Sequence, residues 1–221
     1  MKLWAVIPIK PLRRGKSRLA DVLTVDERAK LNKNLLIHTL ETLSDIPELE
    51  RILVVSRDTK ALTLARKYGA KTIQEDGTPH LNVALNRAVA IATSVTNPGI
   101  LVLPADLPLL KKEDISAMIK KASDSPVMVI SPDHQKRGTN ALLLNPVGDF
   151  IYDFGSNSYE RHIEQAEGLG YKVEICEITS VAMDLDLPED LEFLNGEVKN
   201  WLVNVDEDSP TVSSDYYERM T

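Results

Sequence analysis

Three acids are set apart by their positions in the chain. Asp106 follows the apolar run Ile100-Leu101-Val102-Leu103 and lies between Pro104 and Pro108. A short run of branched apolar residues bounded by turn formers reads as a strand buried on both faces. In an open α/β sheet, ligands bind at the carboxyl ends of such strands. A carboxylate there is costly to desolvate unless it meets a metal, a cation or water; a helix cap or a solvated turn acid is the alternative. The other two acids are Asp184 and Asp186, separated by Leu185. In extended backbone, residues two apart face the same way, so both carboxylates can project to one point. Three convergent acids suit a hard divalent cation such as Mg2+, which takes oxygen ligands and shares its shell with substrate phosphates.

The opposite charge is concentrated near the start. Lys10 to Arg18 holds five cations and no acid. A solvated basic loop is one reading. The segment, however, follows the first expected strand, contains Gly15 where backbone must bend or approach a ligand, and precedes a helical pattern. Its backbone amides, with Lys10, Lys16, Ser17 and Arg18, suit a polyphosphate. The Gly-x-x-x-x-Gly-Lys-Ser/Thr spacing of a P-loop is missing, which disfavours a kinase or switch-type NTPase.

Further polar groups recur at element ends. Asn82 and Asn86 stand about one helical turn apart; an amide donates and accepts at once, as recognition of a base edge requires, and a helix cap is the alternative. The turn Gly138-Thr139-Asn140 offers backbone amides and a hydroxyl to a small anion, unless it is a plain hairpin turn. The segment from Phe154 to His162 opens a helix, with Ser156, Asn157 or Ser158 able to cap it and with free amides that attract carboxylate or phosphate. His162 reads as packed or capping rather than catalytic.

The elements that must position these groups alternate in type. Strands are expected at Leu3 to Ile9, Arg51 to Ser56, Ala70 to Gln74, Ile100 to Leu103, Pro126 to Ser131, Ala141 to Leu144 and Tyr171 to Ile178. Helices are expected at Thr24 to Leu43, Lys60 to Tyr68, Leu81 to Thr93, Lys111 to Ala122 and Pro188 to Leu194. The alternation predicts right-handed βαβ units and an α/β fold with a largely parallel sheet. With 43% hydrophobic and 27% charged residues over 221 positions, the chain reads as a single globular domain over 1–203 with an acidic tail over 204–221. The net charge of -7 argues against broad nucleic-acid binding. No stretch reaches the roughly 18 apolar residues of a membrane span. The lone Cys176 reads as a small core residue and is compatible with a cytoplasmic setting.

A basic loop, metal-binding acids and a separate anion site together suggest nucleotidyl transfer to a small anionic acceptor. An acceptor that is already a phosphate brings its own nucleophilic oxygen, which accords with the absence of any triad signature. The enzyme's main task is then to align two mutually repelling anions.

At this point a resemblance carries the reading further. Ile7-Pro-Ile-Lys-Pro-Leu12 with Gly15-Lys-Ser-Arg-Leu19, Leu103-Pro-Ala-Asp-Leu-Pro108, Arg137-Gly-Thr-Asn-Ala-Leu142, Phe154-Gly-x-x-Ser158 with His162, and Asp184-Leu-Asp186 together resemble the 2-phospho-L-lactate guanylyltransferase family. The resemblance runs from about residue 3 to residue 195. It implies a Rossmann-like, three-layer nucleotidyltransferase fold of the glycosyltransferase-A type, with a mixed, mostly parallel sheet and usually dimeric. It further implies transfer of GMP from GTP to 2-phospho-L-lactate, giving lactyl-2-diphospho-5'-guanosine and pyrophosphate in coenzyme F(420) biosynthesis, with hand-over to the next enzyme. Some relatives use phosphoenolpyruvate or 3-phosphoglycerate.

On the matching positions the resemblance implies that Asp106, Asp184 and Asp186 bind Mg2+ and that Lys16 and Arg18 hold the nucleotide phosphates, these two and Asp106 forming the catalytic set. Thr139, Asn140, Gly155 and Ser158 are then expected at the acceptor, and Asn82 in the base-contacting segment. Two departures are visible: Gly15 where the family more often has alanine, and Tyr159, with an added hydroxyl, where phenylalanine is common. The rival readings are a sugar-phosphate or molybdenum-cofactor nucleotidyltransferase, whose Gly-Gly-x-Ser/Thr-x-Arg loop this chain lacks, and a non-catalytic GTP-binding module.

Overall fold

The structure is a computed structural model that describes residues 2–75, 81–96 and 98–194. The expected tail from Asn204, and its boundary at 203, lie outside the described residues.

The strands are β1 (Leu3–Pro8), β2 (Leu49–Ser56), β3 (Lys71–Gln74), β4 (Gly99–Val102), β5 (Val127–Pro132), β6 (Thr139–Asn145) and β7 (Lys172–Ile175). The helices are α1 (Val25–Ser44), α2 (Thr59–Lys67), α3 (Leu81–Thr96), α4 (Lys112–Lys121), α5 (Ser158–Gly168), α6 (Thr179–Ala182) and α7 (Pro188–Phe193). The strands form one sheet in the order β3-β2-β1-β4-β6-β5-β7. Neighbouring strands are parallel except around β6, which runs antiparallel to both β4 and β5.

Alternation along the strands divides the core. In β1, Leu3, Ala5 and Ile7 face α1, α2 and α4 through Leu36, Leu40, Leu62 and Met118. Trp4 and Val6 face α3 and α5 through Leu85, Ala88, Val89 and Ala166. Both faces are thus covered, as a mostly parallel sheet requires, and the central strands read as unbroken apolar runs for that reason. Helix α1 begins where Thr24 closes a capping box: Thr24 Oγ1 accepts from Glu27 N at 3.2 Å, and the Glu27 carboxylate accepts from Thr24 N at 2.8 Å. Among the described residues no helix is long and apolar enough to cross a membrane.

The winding sets the site. From β1 the chain builds outward through β2 to β3, then returns to place β4 on the other side of β1. The carboxyl ends of β1 and β4 therefore flank a switch point, where a crevice opens in sheets of this kind. Because β6 is antiparallel, its first residues, Thr139 and Asn140, come to the same edge. This corrects one expectation: both belong to the strand rather than to the turn before it.

Candidate active site

The Lys10–Arg18 loop leaves β1 at the switch point. Pro8, Lys10, Gly15, Lys16, Pro104, Asp106 and Asp186 are among the residues lining a cleft of about 330 Å³ there. Lys16 adopts left-handed backbone (φ 56, ψ 40) immediately before a 3-10 turn, Ser17–Leu19. For a residue with a Cβ this costs roughly 1–2 kcal/mol. The turn leaves the Lys16 side chain only 6% exposed, with its ammonium 3.1 Å from Asp106 Oδ2 and 3.8 Å from Asp186 Oδ1. Arg18 reaches Asp186 Oδ2 at 2.9 Å, while Ser17 is exposed.

The two acids near residue 185 arrive from the far end of the fold because Leu185 is an anchor. Its side chain is fully buried in a cluster with Leu19, Leu31 and Leu35, a burial worth about 2 kcal/mol. Its amide donates to Asp106 O at 3.0 Å. Asp184 and Asp186 flank it in the irregular segment between α6 and α7; Asp184 feels the charges of Asp106 and Lys16, and Asp186 lies beside Lys16 and Arg18. Asp190 Oδ2 accepts from the amides of Asp186 and Leu187 at 2.8 and 2.7 Å and fixes the end of the segment.

The acids are gathered around Lys16 rather than into a finished cage. Among the described residues no three acidic, histidine or cysteine side chains form a metal-holding group. The demand for positive charge nevertheless remains. Asp106 Oδ1 is buried without a hydrogen-bond partner. The Asp184 carboxyl is raised above its ordinary value, first by burial and then by the charge of Asp106, against the lowering influence of Asn140 and Lys16. An orphaned carboxylate oxygen beside an acid that resists ionisation fits a divalent cation held by oxygen ligands.

The expected acceptor residues form a second group. Thr139, Ser158 and His162 are buried. His162 Nε2 accepts from Asp153 N at 3.2 Å. A neutral imidazole has one N–H, so Nδ1 carries the proton and donates to Thr139 Oγ1 at 3.0 Å. Burial first, and then the charge of Arg161, press His162 down to about 4, which keeps it neutral near pH 7. Ser158 Oγ also donates to Thr139 Oγ1, at 3.2 Å. With two bonds accepted, the Thr139 hydroxyl keeps its own proton for an anion. Gly155 has left-handed backbone (φ 136) and open space where a Cβ would stand.

Several expected contacts are already committed within the fold. Asn82 Nδ2 donates to Asp153 Oδ1 and Phe154 O, both at 3.1 Å, and its Oδ1 accepts from Phe154 N at 2.9 Å. Asn86 holds Tyr152 in the same manner. The free amide edges expected for base recognition are therefore spent on residues 152–154, a correction. Asn140 is corrected likewise: its Nδ2 donates to Val181 O at 2.9 Å and to Asp184 Oδ1 at 3.4 Å, so it positions an acid rather than meeting the acceptor. The amides of Arg137 and Gly138 are bound by the Asp133 carboxylate at 2.9 Å each, so that turn presents neither amide to an anion. Burial first, and then Glu177 against Lys136, shifts the Tyr159 hydroxyl up; Lys136 and Glu177 pair with each other at 2.7 Å on the surface. Sequence reasoning missed Arg57 and Glu75, which line the cleft from the ends of β2 and β3; their place after those strands was the available signal.

A mostly parallel sheet with a cationic loop and acids at its switch point defines an α/β nucleotidyltransferase. Solved structures agree on the fold. A cytidylyltransferase from Leptospira borgpetersenii superposes with TM-score 0.60 at 16% identity, covering 100% of this chain and 92% of that one. The 4-diphosphocytidyl-2C-methyl-D-erythritol synthase from Anaerococcus prevotii gives 0.54 at 15%, covering 89% and 96%. Residues 3–203 match the family model described as "Guanylyl transferase CofC like", and the chain belongs to that family. Relatives include a phosphoenolpyruvate guanylyltransferase of Rubrobacter xylanophilus, 42% identical over 86% of this chain and 92% of its own length. A 2-phospho-L-lactate guanylyltransferase of Methanothermobacter thermautotrophicus is 33% identical over 89% and 86%.

Proposed function

We propose that this chain transfers GMP from GTP to a three-carbon 2-phosphoacid, 2-phospho-L-lactate, releasing pyrophosphate in coenzyme F(420) biosynthesis. The observation that carries the reading is the meeting of Lys16, Asp106 and Asp186 at one cleft, within 3.8 Å of one ammonium. Membership in a guanylyl transferase family supports the nucleotide. Phosphoenolpyruvate is the second reading, favoured by the 42% identity to an enzyme named for it. The two acids share a carboxylate and a phosphate on adjacent carbons, and both groups suit the Thr139, Gly155 and Ser158 site.

In this reading the triphosphate enters over Gly15 and the ammonium of Lys16 turns from the carboxylates to the phosphates, joined by Arg18 and Lys10. An oxygen of the acceptor phosphate attacks the α-phosphorus in line. The new O–P bond forms as the bond to the β-phosphate oxygen breaks, and pyrophosphate leaves with the electron pair. No protein nucleophile is required. Neutral His162 holds the Thr139 hydroxyl so that its proton points to the acceptor anion, and fixed dipoles of this kind need no reorganisation during the reaction. Asp106, Asp184 and Asp186 would hold Mg2+, which when bound neutralises charge on the attacked and departing phosphates.

The test is a panel of acceptors with GTP and Mg2+, scored by pyrophosphate release and by the mass of the product. Either three-carbon 2-phosphoacid outpacing 3-phosphoglycerate and every sugar phosphate supports the reading, and the faster of the two names the acceptor. A sugar phosphate as best substrate, or the corresponding adenylyl product formed from ATP at equal rate, overturns it.

A further inference from the structure

Beside the Lys10–Arg18 loop lies a second and larger cleft of about 800 Å³. It is bounded by the loop, by α1 and by the start of α2. Its walls carry Arg13, Arg14, Lys30, Lys33, Arg57 and Lys60 against a single acid, Asp58. Six cations around one concavity stand out in a chain of net charge -7, and low-dielectric walls focus their field. Asp58 offsets one charge, and both of its oxygens are occupied: Oδ2 accepts from Leu12 N at 2.8 Å and Oδ1 from Lys60 N at 2.9 Å. Arg13 pairs with Asp26. Among the described residues, Arg14, Lys30, Lys33 and Lys60 have no carboxylate at ion-pair distance.

One further observation points to a ligand. Asn34 lines this cleft and is 4% exposed, yet its Nδ2 has no hydrogen-bond partner. A buried donor left unpaired costs about 1–3 kcal/mol, and an anion oxygen would satisfy it. We infer that the cleft between the loop, α1 and α2 is a second anion site, separate from the catalytic one, for a di- or triphosphate group. Asn34 supplies a donor, and Lys33 and Lys60 line the walls with positive charge.

The two clefts share walls. Pro11 and Arg57 line both, and Leu12 hangs from Asp58. A polyphosphate in the outer cleft therefore acts on the loop that receives the nucleotide, and occupancy of one site alters affinity at the other. The group can come from free pyrophosphate or from a nucleotide.

Isothermal titration of the full chain without divalent metal separates these cases, with inorganic pyrophosphate, inorganic tripolyphosphate and GTP as probes. Two sites are expected on the parent. Lys33→Glu/Lys60→Glu should weaken one of them at least tenfold and retain the other, and Lys16→Ala should do the reverse. Tighter pyrophosphate than GTP at the outer site assigns free pyrophosphate; the opposite assigns a nucleotide. Circular dichroism checks the fold, and Lys33→Ala/Lys60→Ala serves if the charge reversal fails to fold. A single site on the parent, an outer site unchanged in the folded variant, or equal displacement by sulfate at matched ionic strength overturns the inference.

Discussion

Lys16 and Asp106, 90 positions apart in the chain, meet at 3.1 Å between Nζ and Oδ2. The same ammonium lies 3.8 Å from Asp186, so one nearly buried cation holds acids from two distant segments. Asp106 is about a third exposed, its side chain at 33%, and solvent screening reduces the worth of the contact below that of a fully buried pair. Lys16→Met should lower GTP affinity and turnover together, each by roughly tenfold or more, and destabilise the fold by about 1 kcal/mol. Steady-state kinetics beside urea unfolding checks this. Unchanged affinity for GTP would remove Lys16 from the nucleotide site.

Asp184 bears a cost in the ligand-free protein, since burial and the Asp106 charge both oppose its ionisation. A carboxyl raised in the folded state binds a proton that the unfolded chain has already released, so its stabilising protonation is lost as pH rises through the raised value. Asp184→Asn removes the charge and keeps the shape. The variant should melt a few degrees higher than the parent while turnover falls by roughly a hundredfold with nucleotide binding nearly unchanged. A lower melting temperature with full activity would show that Asp184 is structural only.

His162 gives a pH dependence of opposite kind. Its folded value, about 4 against an ordinary 6.5, means that between these limits the unfolded chain takes up a proton that the native state refuses. Stability therefore falls as pH drops from 6.5 to 4 and levels off below, by roughly 3 kcal/mol in all from this group. His162→Gln should flatten that part of the curve of unfolding free energy against pH. It should also raise the KM of the acceptor more than it changes kcat, because Thr139 loses the donor that orients it. An unaltered slope would mean that another group titrates there.

How far the sequence discloses this site depends on the range of the interaction. The apolar run before Asp106 and the alternation around Leu185 are local patterns, and the strands and the direction of the acids follow from them. The loop's charge is equally local, and it falls at the switch point as the strand order requires. The left-handed backbone at Lys16 has no such signature, since lysine is an unusual choice there and only the acids beyond it explain the turn. The duties of Asn82, Asn86 and Asn140 are similarly hidden. Their partners lie 72, 66 and 41 positions away, and an amide that could read a base is chemically the same as one that holds a loop.

Gly15 tests the close packing beneath the Lys10–Arg18 loop. A Cβ built there stands 2.7 Å from Asn32 Nδ2, which itself donates to Leu12 O at 2.7 Å. Gly15→Ala must push that buried amide off its acceptor, at a cost of about 1 kcal/mol, although the backbone itself tolerates alanine. In a double-mutant cycle, the penalty of Gly15→Ala should largely vanish in an Asn32→Ala background. Strictly additive penalties would show that the amide is not what restricts this position.

Asn82 separates two roles most directly. Its amide clamps Asp153 and Phe154 through three bonds, and that segment leads into Gly155 and Ser158. If Asn82 acts through this clamp, Asn82→Ala should raise the KM of the acceptor several-fold and leave the ratio of GTP to ATP use near that of the parent. If it read the base, discrimination between the two nucleotides would collapse by roughly 1–3 kcal/mol, because a site that loses its donor and acceptor no longer penalises the wrong edge. Competition between GTP and ATP in one reaction, resolved by the masses of the two products, decides between them, and the saturated amide predicts an unchanged ratio.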